Sequence, residues 1–231
     1  MRNSQLRIVF ISAVVLIVGL IGYGMLLYPH ILSEAGVMSI LVPVFMLVLY
    51  GVVAVWGTHQ PGQAHRAALK SGTTFGLLVG ITFIINISVE NFASMSVQIS
   101  TISTIGLMLL IFMLFALAGW RAAKDSGQLR VGIFASIWSA MTGVLLALIF
   151  GFAINFLFTQ RLEQNLQTSA EYFRSGSHDL VTFTFWNTLD SASSHLFEAP
   201  IIAAILGISG SLISLGFSQL RKKFTGSQGL R

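Results

Sequence analysis

An all-α membrane protein, a bundle of six transmembrane helices with a long outer loop holding a short interfacial helix between helices 5 and 6, is the fold class this sequence predicts. Composition and patterning carry that prediction. Of 231 residues, 55% are hydrophobic and only 9% are charged, against about 25% charged in an ordinary soluble domain. The mean hydropathy of +0.82 excludes both a soluble globular domain and a disordered chain. Six charge-free runs are each long enough to span hydrocarbon about 30 Å thick, which takes about 20 residues. They cover 8–28, 36–57, 71–89, 98–120, 131–158 and 199–220. In lipid every backbone N–H and C=O must find a partner within its own segment, so each run is expected to be a helix; a barrel would show short alternating strands.

The first run follows Arg2 and Arg7 and is longer than the 7–15 apolar residues of a signal peptide. A retained helix is therefore expected. The second holds Pro43, a possible kink. The third carries Gly72, Gly76 and Gly80, two consecutive small-xxx-small steps, and the fifth repeats the pattern in Gly143, Ala147 and Gly151. Such stripes let helix backbones approach closely where no hydrophobic effect drives association. Each stripe runs on to an asparagine, Asn86 and Asn155. Segments 2–3 and 4–5 thus read as a faint parallel repeat of a kind met in transporters. The fifth run stays uncharged through residue 160, about 45 Å of helix, so it must tilt or stand out of the bilayer. The sixth begins near Pro200, placed in the first turn where proline costs little, and offers a small face of Gly207, Gly210, Ser211 and Ser214.

Four connections are short, which favours antiparallel neighbours and one integral membrane domain over residues 1–231. The exception is 159–198. Within it Leu162, Leu166, Ala170 and Phe173 recur at helical spacing among polar residues, predicting a short amphipathic helix at the interface. Asp179 to Trp186 is rich in aromatic and β-branched residues. It reads as an interfacial helix or extended strip with its aromatic side toward lipid headgroups.

The net charge of +5 does not imply nucleic acid, because the cations are scattered between apolar runs. They report topology instead. With the N-terminus inside, eleven of the thirteen Lys and Arg fall on inner segments, and only Arg161 and Arg174 lie outside. The positive-inside rule then puts both termini in the cytoplasm of a cell-membrane protein. Trp56 and Trp120 fall at the inner interface and Tyr28 at the outer, as amphipathic rings prefer.

No charge lies at mid-bilayer, which weighs against a proton relay, pump or voltage sensor. Polar interest gathers at the outer ends. Glu90 ends the third helix, where the macrodipole disfavours an acid. It needs a partner, and Arg161, at the matching end of the fifth helix, is the expected one. Asn86, four residues earlier, shares that face. Asn86, Glu90, Asn155, Arg161 and Glu198 are the candidate ligand-binding residues. His195 and Glu198 share a helix face and could recruit Asp190 or His178, but no two histidines stand four apart and no H-E-x-x-H occurs. No metal and no cofactor are therefore expected. Ser191, Ser193 and Ser194 beside His195 lack any hydrolase motif. The chain has no cysteine and no P-loop or dinucleotide fingerprint. Energy coupling would have to come from a partner subunit.

Three function classes remain. The first is a transport-related or solute-binding membrane subunit without its own ATPase; in size, helix number, small-residue seams and lack of ATPase the chain resembles, in architecture alone, the substrate-binding components of modular vitamin transporters. The second is a non-catalytic accessory protein docking a partner or the membrane surface through 159–198. The third is an interfacial enzyme using Glu90, His195 or Glu198, against which the absent motifs weigh. A pocket opening to the outside between helices 3, 5 and 6 would favour the first; a bundle filled throughout by side chains would favour the second, and bound metal the third. Topology has a direct check, since single cysteines at Ser175 and Ser126 stand in an otherwise thiol-free chain. A membrane-impermeant maleimide on intact cells is expected to label Ser175→Cys and to spare Ser126→Cys; the reverse pattern overturns the orientation.

Overall fold

The computed structural model describes residues 3–34, 36–60, 62–93, 96–167, 169–177 and 179–226. Arg2, His178 and Arg231 therefore lie outside the described residues. Helices α1 (Asn3–Leu27), α3 (Met38–His59), α4 (Gln63–Phe92), α5 (Val97–Ser126), α6 (Leu129–Leu157) and α9 (Leu180–Gly226) are joined by three short ones, α2 (Ile31–Glu34), α7 (Thr159–Leu166) and α8 (Ala170–Ser175). Among the described residues there is no strand. Six helices are long and apolar enough to cross a membrane. Six crossings return the chain to its starting side, so the ends of α1 and α9 share a terminal end of the bundle; α7 and α8 lie at the opposite, distal end.

The central helix is α6. Its most apolar stretch is 56% buried, against 28–33% for the other five. The outer helices present Phe45, Leu109 and Ile205 at 60% exposure or more, the apolar belt that a bilayer would cover. Helix α4 packs on α6 through glycine. A Cβ at Gly72 would stand 2.6 Å from the carbonyl oxygen of Ala135, one at Gly76 2.7 Å from Cβ of Thr142, and one at Gly80 2.7 Å from Leu146 Cδ1. From the other side, a Cβ at Gly143 would run into Val79. A second close crossing joins α5, α6 and α9 in the terminal half: a Cβ at Gly119 would stand 2.9 Å from Gly207 Cα, and Gly210 rests on the Ala116 carbonyl. Serine hydroxyls bind these helices across their backbones. Ser71 donates to the Ala118 carbonyl at 3.0 Å, Ser136 to Phe115 at 2.8 Å and Ser211 to Gly119 at 3.3 Å. Such interhelical bonds serve where lipid supplies no hydrophobic drive.

The structure differs from the sequence reading along 159–198. The single amphipathic helix expected there is two helices, because Ser169 opens a new one by accepting the Tyr172 N–H at 3.1 Å. Leu162 is buried, whereas Phe173 is 71% exposed. The larger correction concerns Leu180 to Trp186, which is neither strip nor interfacial helix. It forms the first turns of α9, continuous through residue 226. Asp179 is the physical reason: its carboxylate accepts the Val181 N–H at 3.1 Å, capping one orphan donor of the first turn, and holds the Thr182 hydroxyl at 2.5 Å. The aromatic side chains turn inward. Phe185 is fully buried, its ring on Gly24 and near Tyr28, Phe152 and Phe156 at centroid separations of 5.1–6.2 Å. Phe183 packs on Tyr172 of α8 at 5.1 Å. Large aromatic surfaces gain more from this cluster than from headgroups.

With α9 starting at Leu180, Pro200 is not in a first turn but deep inside a helix of 47 residues. A proline there has no N–H for the carbonyl four residues earlier, which belongs to Leu196. The buried Tyr50 of α3 supplies the missing donor, its hydroxyl meeting the Leu196 oxygen at 2.9 Å. The pair also joins α3 to α9 at mid-depth. Removing the hydroxyl by Tyr50→Phe is expected to lower the unfolding free energy in bicelles by about 1 kcal/mol or more. Pro200→Ala, which restores a backbone donor, should shrink that penalty in the double variant; strictly additive penalties would show that the bond does not answer to the proline.

Candidate functional site

At the distal end a pocket of about 270 Å³ lies between α4 and α9, floored by α6 and covered by α7. Volumes near this value stand at the small end of ligand sites. The pocket exists because the small-residue stripe of α6 changes character along its length. Gly143 is closed against Val79, but a Cβ at Gly151 would meet nothing within 4 Å. Ala147 and Gly151 both line the cavity. Ten residues of α6 separate Ala147 from Leu157, so the pocket reaches about 15 Å into the bundle.

Its walls are divided. Phe83, Ile87, Leu148, Ile154, Leu162 and Leu166 make the apolar part. Asn86, Glu90 and Asn91 come from the last turns of α4, Asn165 from α7, and Thr184, Asn187, Thr188, Ser191 and His195 from successive turns of α9. The last five stand on one face because α9 is already helical there. No Lys or Arg is in the lining, and Glu90 is its one carboxylate.

Of the five residues singled out from sequence, Asn86 and Glu90 line the pocket. Asn155 adjoins it. Fully buried, it donates its amide to Thr188 Oγ1 at 2.9 Å and, more weakly, to the Thr184 carbonyl at 3.4 Å, both residues of the wall. Arg161 and Glu198 are exposed and stand outside the lining. Among the described residues no ion pair joins Arg161 to Glu90. The need for a partner at the end of α4 is met by neutral donors: Asn86 Nδ2 at 2.9 Å and the Thr104 hydroxyl of α5 at 3.3 Å, both on Glu90 Oε1. Thr104, Asn165, Thr188 and His195 escaped the sequence reading as a group. The placement of α7 and the early start of α9 bring Asn165, Thr188 and His195 together, and Thr104 reaches Glu90 from α5.

Two buried oxygens at this end have no hydrogen-bond partner, Asn86 Oδ1 and Asn155 Oδ1. A third atom of this kind, Ser139 Oγ, lies deeper, in the α4–α6 seam. Such an atom costs about 1–3 kcal/mol when left unpaired. His195 cannot activate Ser191 as a nucleophile. Its Nδ1 lies 2.7 Å from the Ser191 carbonyl, a pure acceptor, so Nδ1 carries the proton, and the Ser191 hydroxyl is at 3.5 Å from that same nitrogen. Among the described residues no three His, Asp or Glu gather to hold a metal ion.

The two halves of the α6 stripe should respond oppositely to added bulk. Gly151→Leu is expected to leave the melting temperature in detergent nearly unchanged, since the new side chain enters open space. Gly143→Leu, at the half closed against Val79, should destabilise by about 2 kcal/mol or more through overpacking. Equal losses at both positions would mean that the cavity is closed in solution. Comparison of the chain with protein-family models, with curated proteins and with solved structures finds no match.

Proposed function

We propose that the protein is a solute-binding, transport-related membrane subunit, and that the distal pocket between α4 and α9 is its binding site. The observation that carries this reading is the gap at Gly151: a well-packed α4–α6 seam opens there into a cavity with an apolar floor and converging polar groups. Sites of that mixed character recur where proteins hold small molecules. Asn86, Glu90 and, behind the wall, Asn155 are the proposed binding residues.

The orientation proposed with it places the termini in the cytoplasm and the pocket outside. The positive-inside distribution supports it. A groove at the terminal end points the same way, lined by Asn3, Arg66, Lys70, Thr73 and Thr74, a basic surface suited to an anionic inner leaflet. The sequence carries no nucleotide-binding motif, so movement of a bound solute would draw on a partner subunit. The bilayer and such a subunit are the proposed partners. An accessory protein docking through 159–198 is supported less, because Phe183 and Phe185, the strip that reading relied on, are committed to the bundle's own core.

Native mass spectrometry of the protein in lipid-preserving particles tests the proposal. The expected result is a reproducible non-lipid adduct on the wild type that is absent from Gly151→Leu. A chain carrying lipid alone, or an adduct indifferent to Gly151→Leu, would sink the assignment of this pocket.

A further inference from the structure

We infer that the pocket's ligand is a small organic cation, an ammonium group on a compact apolar body. This deepens the proposed function and rests on the pocket being a solute site. The argument comes from where the donors around the pocket point. Asn86 faces Glu90 Oε1, a carboxylate that can only accept, so its NH2 group is fixed toward Glu90 and its carbonyl is the free end. Asn91 Nδ2 faces the Ile87 carbonyl at 2.8 Å, and Asn165 Nδ2 faces the Asn91 carbonyl at 3.1 Å. Both partners are again pure acceptors, so neither amide can be flipped without setting two oxygens against each other. His195 turns Nδ1 to the Ser191 carbonyl, so the tautomer protonated at Nδ1 presents Nε2 as an acceptor. Thr188 donates its hydroxyl to the Thr184 carbonyl and accepts from Asn155 Nδ2, which leaves one lone pair.

Each of these lining residues turns an amide or ring N–H, or its hydroxyl, to protein and offers oxygen or imidazole nitrogen beside the one carboxylate, while Asn187 and Ser191 of the same lining can each donate or accept. An anion would meet this array with no cation to offset it. A neutral acceptor would find the Asn86 oxygen, buried and unpartnered, opposed to its own lone pairs. An ammonium supplies several N–H donors and a charge to match Glu90. The array does not suit a divalent ion, since no three acidic or histidine side chains converge among the described residues. Phe83, Ile87 and Leu148 fit the ligand's apolar body, and Phe83 stands edge-on to the His195 ring at 5.4 Å.

Three near-isosteres of differing charge test the inference: benzylammonium, benzyl alcohol and benzoate, titrated onto the full chain in nanodiscs, with Gly151→Leu nanodiscs as the blank for partition into lipid. Expected is binding above the blank in the order ammonium, alcohol, benzoate, with roughly tenfold or more between the first two, as hydrogen bonds to a charged group are worth. Glu90→Gln should remove the ammonium preference and leave the alcohol where it was. Benzoate binding as well as benzylammonium, or a preference untouched by Glu90→Gln, overturns the cation and leaves the solute site standing. Failure of all three to bind above the blank overturns the solute site and the cation together.

Discussion

The bond from the Tyr50 hydroxyl to the Leu196 carbonyl answers the constraint on which the rest of this bundle depends. In hydrocarbon a backbone carbonyl without a donor has no water to turn to, and Pro200 creates such a carbonyl in the middle of the longest helix. With Tyr50 in place, α9 runs unbroken from residue 180. Its first turns therefore arrive at the distal end as helix, with Phe183 and Phe185 pointing into the core and Thr184, Thr188, Ser191 and His195 aligned along the pocket. A break at the proline would scatter both sets. The same demand is met elsewhere by side chains acting on carbonyls that helix ends or crossings expose. His65 serves Gly57 near the end of α3, Asn165 serves Asn91 near the end of α4, and Ser71, Ser136 and Ser211 serve the crossings of α5.

Glycine determines where this bundle is tight and where it is open. At Gly72, Gly76 and Gly80 the missing side chain is replaced by the backbone or side chains of α6. At Gly151 nothing replaces it. A Cβ there would meet nothing within 4 Å, which distinguishes this glycine from those of the seam. The stripe read from sequence as one packing surface is thus a seam at Gly143 and a cavity floor at Gly151.

The six crossings were legible because hydropathy over about 20 residues needs no tertiary information. The fifth run, read as 131–158, is helix over Leu129–Leu157, and its uncharged excess ends at a break after which α7 begins. The distal end was harder. Leu180 to Trp186 carries the residues of an extended strip, and only the Asp179 cap marked it as a helix start. Pro200 was misplaced for the same reason, since its position in a helix depends on where that helix begins. Glu90 was read, from the macrodipole argument, as an acid in need of a partner. Its helper is local, Asn86 on the same face together with Thr104. A charge-pairing rule looks to Arg161 first, because it weighs opposite charge above the nearer neutral donors.

Where the demand for hydrogen bonds goes unmet is then informative. Among the described residues, two unpartnered buried amide oxygens, Asn86 Oδ1 and Asn155 Oδ1, lie in or against the distal pocket, although the bundle recruits tyrosine, histidine, asparagine and serine side chains to its exposed carbonyls elsewhere. Both are amide oxygens whose nitrogens are already engaged. An asparagine that merely filled space could be replaced by leucine at no cost in unpaired polar atoms. One whose nitrogen is held by a fixed acceptor is instead a carbonyl aimed by its surroundings, and a carbonyl held in place is useful only to a donor. On the proposed reading, a solute held in the pocket at Gly151 is that donor for Asn86, which lines it.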